Sequence, residues 1–548
     1  MNKADTVLLI SPPMFSYSVE EPFLSVPLLS GKLKSAGFKT ICRDFHLELH
    51  NDIRNRSFIE NSYKKFKERM PLNDSGIKDT EYKKAFLKHK IASEMYQNIL
   101  SMPETPSNLL YDFIQLPYKI KPSEYTADYE DIKKQADDRS SNFFIEYYEE
   151  KIKTLPEDVM MIVISSYPIY DLYKIYPVLT LSKMLKDRYK NAEIVPAYDY
   201  FSCFKPVFEK HPEFFDIFCD FALYGDCENG IADLAECIKK GADVSGVSNL
   251  IYKNSENKVI INAETKKQDI NKAVYADYDG YNSAGYQSPY KIPMILSKGC
   301  YWNKCRFCTY GSDKAFQIKT IDNAVKEIKY YIDRYGIKSV HFQDNAVSAH
   351  YYDKLSEALL ENNIKIQFNS FAIFEEGFTA ELLEKMKQAG CTRLSWGLDT
   401  HSKRIFELSN KSGCFEKRAE ILKNSFEAGI QNNINIIEGL PLERLADLVQ
   451  TVKFMYDNIE YISKFNWEKF QIRTGSYFLE HLNEYGLKIT GKEDFSTEYQ
   501  YVNEKTDINK SNSFYERIRG LSRHDKEGFR HAAEEYLEQF NSFDSRLN

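Results

Sequence analysis

The chain has 548 residues, room for three or four domains at ~100–200 residues each. Its 43% hydrophobic, 28% charged and 14% aromatic residues suit globular domains with real cores, and its net charge of -7 argues against a general pull toward nucleic acid. The longest apolar runs, such as Val159–Ile164, fall far short of the ~20 residues that span a bilayer. Met1–Asp5 lead straight into a strand without the charged head and apolar segment of a signal peptide, so a cytoplasmic location is expected.

Thr6–Ser11 reads as a strand stopped by Pro12-Pro13, Pro27–Ala36 as a helix closed by Gly37, and Lys39–Asp44 as a second strand. The alternation resumes with a buried strand at Val159–Ser165, a helix at Tyr170–Tyr189, strands at Glu193–Pro196 and Phe221–Tyr224, and a helix at Glu228–Lys239. Strands alternating with helices predict a doubly wound parallel sheet. Residues 47–156 are rich in Lys, Glu, Tyr and Phe and read as an inserted helical subdomain whose aromatics form its core, and Gly246–Asn262 reads as a β-hairpin.

From Ile292 a second alternation begins. Strands are expected at Ile292–Leu296, Ser339–Gln343, Ile366–Asn369, Arg393–Gly397, Asn433–Ile437 and Lys469–Arg473, with helices between them. Six β/α units fit a partial or full barrel with its chemistry at the carboxyl ends of the strands. The fold class is therefore α/β: an N-terminal doubly wound parallel sheet with a helical insertion (1–262), a connector (263–290), a β/α barrel (291–490) and a short helical C-terminal extension (491–548).

Ten cysteines are too sparse for a disulfide scaffold, yet Cys300, Cys305 and Cys308 fall within nine residues, directly after the first barrel strand. The spacing is C-x4-C-x2-C. Three thiolates on one loop can each hold one iron of a 4Fe–4S cluster, leaving the fourth iron to a ligand that is not protein. A structural zinc site would need a fourth nearby Cys or His, which the loop lacks. Cys391 and Cys414 lack paired spacing and read as ordinary thiols.

This loop resembles that of the radical S-adenosylmethionine (SAM) superfamily, whose usual signature is C-x3-C-x2-C with an aromatic residue before the last cysteine. Phe307 stands there, and one extra residue separates the first two cysteines. The resemblance implies that Cys300, Cys305 and Cys308 hold a 4Fe–4S cluster whose open iron is chelated by SAM, and that the reduced cluster cleaves SAM to a 5′-deoxyadenosyl radical. Further segments extend it over about Ile292–Tyr477. Phe342-Gln343-Asp344-Asn345 ends the second strand, where the family places polar groups for SAM. Ser395-Trp396-Gly397-Leu398-Asp399-Thr400 is similar to the fourth-strand G-L-E-S segment, with Asp399 implied at ribose. Glu438-Gly439-Leu440-Pro441-Leu442-Glu443-Arg444 resembles the fifth-strand region that lines adenine, implying Glu438 and Gly439 there. Taken alone, Asp344 and Asp399 would equally suit helix N-caps, and Gly439 a turn.

The first sheet resembles the cobalamin-binding-type Rossmann domain that precedes the barrel in one radical SAM subfamily, on Leu9-Ile10-Ser11-Pro12-Pro13, Val163-Ile164-Ser165-Ser166 and Tyr224-Gly225-Asp226-Cys227-Glu228. Ser165 and Tyr198 are then implied at a cobalamin. Where the family often has a Gly-Gly pair, this chain has Val195-Pro196-Ala197-Tyr198-Asp199, so the resemblance implies that Tyr198 would stand in the way of the nucleotide tail. Asp44-Phe45-His46 is similar to the D-x-H of cobalt-ligating proteins, but it follows the second strand and lacks the glycine that should come after, so His46 reads as a surface or capping residue.

Cobalamin-dependent methyl transfer to an unactivated carbon leads the functional readings. The alternatives are a corrin-free radical SAM epimerase, rearrangement or oxidation enzyme, and a non-catalytic iron–sulfur or zinc protein. A small-molecule or peptide substrate and a reductant protein such as flavodoxin or ferredoxin are the expected partners, with no membrane and no nucleic acid.

Overall fold

The computed structural model describes residues 5–14, 19–70, 79–102, 105–118, 126–165, 175–197, 199–264, 269–281, 285–309 and 316–544. The chain divides into two compact units. The first comprises Met1–Lys267, Val274–Pro289 and Glu493–Ser496, and the second Gln268–Ala273, Tyr290–Lys492 and Thr497–Asn548. The region read as a connector is thus shared between them, and four residues from the C-terminal extension belong to the first.

The first unit is built on seven strands: β1 (Thr6–Ser11), β2 (Lys39–Asp44), β3 (Met161–Ser165), β4 (Glu193–Ala197), β5 (Phe221–Leu223), β6 (Leu250–Lys253) and β7 (Val259–Ile261). They run in the order β2-β1-β3-β4-β5-β6-β7. The pairings from β2 to β5 are parallel, and the hairpin β6-β7 adds to the edge antiparallel. All five residues of β3 (MIVIS) are buried because successive side chains enter opposite faces. Ile162 and Ile164 join one core, while Met161 and Val163 join the other with Val26, Leu29 and Leu33 of helix Ser25–Ser35 and Ile231 and Leu234 of helix Glu228–Lys240.

The insertion is helical, with helices including Phe45–Asp52, Arg56–Arg69, Asp79–Ser101, Tyr129–Gln135 and Phe143–Ile152. It is no separate subdomain, however. Phe66, Phe113, Tyr129, Phe144 and Tyr148 share one core with Leu8, Ile10 and Ile162 of the sheet. The reason is stoichiometric: one face of a buried sheet needs a helical cover, and on that face the insertion supplies much of it.

The second unit carries the strands β8 (Lys291–Met294), β9 (Ser297–Lys298), β10 (Gln317–Ile318), β11 (Ser339–Phe342), β12 (Gln367–Ala372), β13 (Cys391–Asp399), β14 (Gln431–Glu438), β15 (Lys464–Lys469), β16 (Ile472–Arg473), β17 (Leu487–Gly491) and β18 (Glu498–Asn503). Six of them form an open parallel sheet, β15-β14-β13-β12-β11-β8, a partial barrel. Four of its helices start on hydroxyl caps: Thr320, Ser348, Thr379 and Ser402 accept from the backbone N–H of Asn323, Tyr351, Leu382 and Ile405.

Two expectations shift here. The sixth barrel strand is Lys464–Lys469, not Lys469–Arg473; its inward Phe465 and Trp467 alternate with polar residues that mask the strand in a hydropathy reading. Ile472–Arg473 instead pairs with β18 in a small antiparallel sheet of order β16-β18-β17, so the C-terminal extension is not purely helical. It ends in helices Phe514–Ile518 and Lys526–Asp544. Among the described residues no helix is long and apolar enough to cross a membrane.

Candidate active site

Because the six strands are parallel, the loops that follow them open at one edge of the sheet. The cysteine loop leaves after β8, and its flanks β9 and β10 pair antiparallel, Ser297 with Ile318 and Lys298 with Gln317, so the segment between them is pinned at its neck. The extra residue between Cys300 and Cys305 is absorbed by a bulge in which Asn303 takes a left-handed backbone (φ 49°). Two rings anchor that bulge. Tyr301 O–H donates to Glu375, and the indole N–H of Trp302 donates to the carbonyl of Asn410 at 2.8 Å. Farther on, the Arg306 N–H meets the carbonyl of Ser409 at 2.9 Å, and its guanidinium donates to the Leu408 carbonyl and the Tyr485 hydroxyl at 2.8 and 2.7 Å.

Cys300, Cys305 and Cys308 are each half-buried. Burial pushes the Cys305 thiol up, while the Lys411 charge and the Ser412 backbone N–H pull it back down. Among the described residues, the one set of three Cys, His, Asp or Glu ligand atoms lying within 4.8 Å of one another is Glu130, His211 and Glu213. The three cysteine sulfurs do not all lie that close to one another.

Asp344 is buried after β11 and is not a helix N-cap. It accepts from the backbone N–H of Leu296 at 3.0 Å and of Ser297 at 2.5 Å, and from the Ser297 hydroxyl at 2.7 Å. It thereby ties the start of the cysteine loop to the neighbouring strand. Burial raises its pKa to about 6, against those hydrogen bonds and the charge of Lys319. Lys319 is itself buried and paired with Glu327, which also accepts from Tyr331 at 2.8 Å.

Asp399 ends β13 in a left-handed conformation (φ 57°), uncommon for a residue with a Cβ. It too is no cap; its partner is Lys411, at 2.7 Å, with both side chains about nine-tenths buried. Burial opposes the Lys411 charge, and Asp399 and Cys305 more than restore it. The ammonium stands 6.0 Å from the centre of the Phe307 ring, which packs against the apolar group of Ile405, Leu440 and Phe478. Cys305, Phe307 and Asp399 thus share one neighbourhood.

Glu438 ends β14, and its two oxygens accept from Ser513, from the Tyr515 N–H at 2.8 Å and from the Trp467 indole at 3.1 Å. Three groups implied by neither motif nor composition therefore engage the carboxylate, two of them from the C-terminal extension. Gly439 has φ 85°, and a Cβ built on it meets nothing within 4 Å, so the backbone there borders open space. Its N–H donates at 2.5 Å to Glu443, a fully buried carboxyl whose pKa burial raises to about 8.

In the first unit, Ser165 lies at the carboxyl end of β3, buried, and its hydroxyl has no hydrogen-bond partner among the described residues. An orphaned hydroxyl at the ligand-binding edge of a doubly wound sheet is the kind of group a cofactor would satisfy. Tyr198 and Ser166 lie outside the described residues, as does the start of the helix expected at Tyr170. His46 is not on the surface: it is buried and its Nδ1 accepts from the Met14 N–H at 3.1 Å, while Asp44 is the residue that caps the helix.

Residues 294–455 match the family described as the Radical SAM superfamily. The chain contains a radical SAM domain. The chain is 23% identical over 315 residues to an uncharacterised methyltransferase of Pyrococcus horikoshii, a match covering 55% of this chain and 65% of that protein. In fold it is similar to the cobalamin-dependent S-adenosylmethionine radical enzyme OxsB with aqua-cobalamin and S-adenosylmethionine bound (TM-score 0.56, 13% identity), over 90% of this chain and 64% of that one. It is also similar to the radical S-adenosylmethionine methyltransferase TsrM from Kitasatospora setae with cobalamin and a 4Fe–4S cluster bound (TM-score 0.55, 13% identity), over 98% and 99% of the two chains. The chain spans slightly under two thirds of the length of the Pyrococcus relative and of OxsB.

Sequence reading missed the turn Ser409–Gly413 that walls the radical SAM cysteine loop, and the buried Arg418 behind it. The run Ser-Asn-Lys-Ser-Gly has the composition of a turn, but nothing in it says that Lys411 folds inward.

Proposed function

We propose that this protein is a radical SAM enzyme that cleaves SAM reductively at a 4Fe–4S cluster held by Cys300, Cys305 and Cys308, and that it transfers methyl groups to an unactivated carbon with the help of cobalamin. The observation that carries the first part is the three-cysteine loop, pinned by β9 and β10 and lying within the segment that matches the Radical SAM family. When bound, the cluster and SAM would supply the radical that removes a substrate hydrogen, and a corrin would supply methyl-carrying chemistry.

The chain's own residues hold and orient. Asp344 fixes the loop's entry, Trp302 and Arg306 fix its middle, and Phe307 with the apolar residues behind it gives the site one dry wall. Gly439 leaves backbone open to a ligand without a side chain in the way. For cobalamin, support comes from the orphaned Ser165 hydroxyl and from the likeness in fold to OxsB and TsrM. A small molecule or peptide as substrate, and a flavodoxin or ferredoxin as reductant, complete the reading.

The test is anaerobic purification after expression with abundant cobalamin, followed by reduction with dithionite in the presence of SAM. Iron, sulfide, bound corrin and 5′-deoxyadenosine are expected from the native chain, with 5′-deoxyadenosine lost in Cys305→Ala. A native protein that takes up zinc and no sulfide would overturn the proposal; cluster without corrin would overturn its methyl-transfer half.

A further inference from the structure

Behind the cysteine loop lies an unbalanced set of buried charges. Asp399 pairs with Lys411 at 2.7 Å, and its charge also acts on Arg418, whose guanidinium is hydrogen-bonded to the next residue's carbonyl, that of Thr400. Arg418 is fully buried. Its guanidinium donates to the Thr400 carbonyl at 2.7 Å and to the Cys414 carbonyl at 3.1 Å, and lies over the rings of Phe406, Phe415 and Phe374 at 4.7, 5.0 and 5.7 Å. Its Nη2 makes no hydrogen bond among the described residues. The other acid that reaches Arg418 is Glu416, which is exposed and paired with Lys403 at 3.0 Å. Among the described residues two buried cations therefore share one buried anion, and the Lys411 ammonium stands 6.0 Å from the ring of Phe307, which lies between Cys305 and Cys308 in the chain, with Cys305 among the groups its charge acts on.

An uncompensated buried charge is costly, so the excess positive charge calls for an anion from outside this set. We infer that Lys411, backed by Arg418, is the counter-charge for an anionic iron–sulfur centre seated on Cys305, and that it sets the potential at which that centre accepts an electron. The inference rests on the reading of the three cysteines as cluster ligands. A four-iron, four-sulfide core on three thiolates carries one negative charge when oxidised and two after it takes one electron from a reductant of the flavodoxin or ferredoxin class. A fixed cation beside it stabilises the doubly negative state more, because the attraction scales with the product of the charges. Lys411 acts here as a positioning and tuning residue; no bond to substrate is required of it.

The two ends of the ion pair then have opposite signs, which a merely structural role would not produce. In an EPR-monitored redox titration of the full-length, anaerobically reconstituted protein without SAM, Lys411→Met should lower the reduced-to-oxidised ratio at fixed poise by about tenfold, equivalent to about 59 mV for one electron. Asp399→Asn should raise that ratio, and Lys411→Arg should restore it to native behaviour. Equal-signed shifts in the two neutral variants would overturn the inference, as would a Lys411→Met protein with native potential and weakened SAM binding, since the charge would then serve the SAM carboxylate. If Lys411→Met loses its cluster, the upward shift in Asp399→Asn decides alone. Iron and sulfide content separate the two levels. A native chain without cluster sinks the functional reading together with this one, whereas normal cluster and SAM cleavage with unmoved potentials sinks this one only.

Discussion

The indole of Trp302 is hydrogen-bonded to the backbone carbonyl of Asn410 at 2.8 Å, joining residues 108 positions apart at the bulge that the extra residue creates. Lys304 adds its ammonium over the same ring at 5.4 Å. Replacing Trp302 with Phe keeps a ring but removes the donor. The expected cost is about 1 kcal/mol of stability, with a larger fractional loss of reconstituted iron than of fold. Thermal unfolding and iron analysis on the same preparation check this; unchanged iron content would mean the bulge is held elsewhere.

Asp344→Asn removes one of two carboxylate oxygens that together serve Leu296 and Ser297. The amide oxygen can keep the Oδ1 place, where Leu296 N–H, Ser297 N–H and the Ser297 hydroxyl all converge, but the N–H₂ then faces the Leu296 N–H that Oδ2 accepts at 3.1 Å and the charged acceptor is lost, so a loss of roughly 1–3 kcal/mol is expected. The damage should concentrate at the loop neck. Hydrogen exchange should quicken at β9 and β10 before it does at β13, and cluster uptake should fall.

Much of the second unit was legible from sequence because hydrophobic period acts locally: the helices capped by Thr320 and Thr379 start within a residue or two of Asp322 and Ala380, where the pattern begins, whereas the short helix Lys403–Leu408 behind Ser402 was not expected. The cysteine loop was legible for the same reason, since its ligands are close in sequence. Lys411 was not, because a lysine is ordinarily solvated and only the fold brings Asp399 to meet it. Nor was the occupation of Glu438 by Ser513 and Tyr515, some 75 residues away. The strand Lys464–Lys469 was misplaced because its buried face is carried by just Phe465 and Trp467.

Glu443 gives a pH prediction with a definite sign. Its pKa lies near 8 in the folded chain, raised by burial from an ordinary value of 4.5. The folded state keeps the proton that the unfolded state releases, so this group's contribution is fully present below 4.5 and is lost as pH rises through 8. Glu443→Gln keeps an acceptor for the Gly439 N–H and has no proton to lose. The variant should gain on the native protein as pH climbs from 5 to 9, by on the order of 1–3 kcal/mol once solvent relaxation is allowed for. Paired melting curves across that range check it; a difference that stays flat would show that the carboxyl ionises freely.

Ser165→Ala separates folding from ligand binding. The hydroxyl is buried without a partner among the described residues, so removing it should leave the cofactor-free protein as stable as before, or steadier by up to about 1 kcal/mol. Corrin retained through gel filtration should nevertheless decrease. Native corrin retention in the variant would place the cofactor away from β3.

Four residues from near the end of the chain complete the first unit. Glu493 and Asp494 receive the backbone N–H groups of Ala127 and Tyr129 at 2.7 and 3.1 Å, and Phe495, fully buried, packs against Phe204, Phe208 and Phe214. During synthesis the ribosome has released the whole sheet of that unit some two hundred residues before this segment emerges. The nascent N-terminal half therefore waits with an unfilled aromatic socket and an uncapped helix at Tyr129. Fragments that stop at the apparent domain boundary near Pro289 inherit that defect permanently, so expression of the halves as separate polypeptides should add back residues 493–496 to the first.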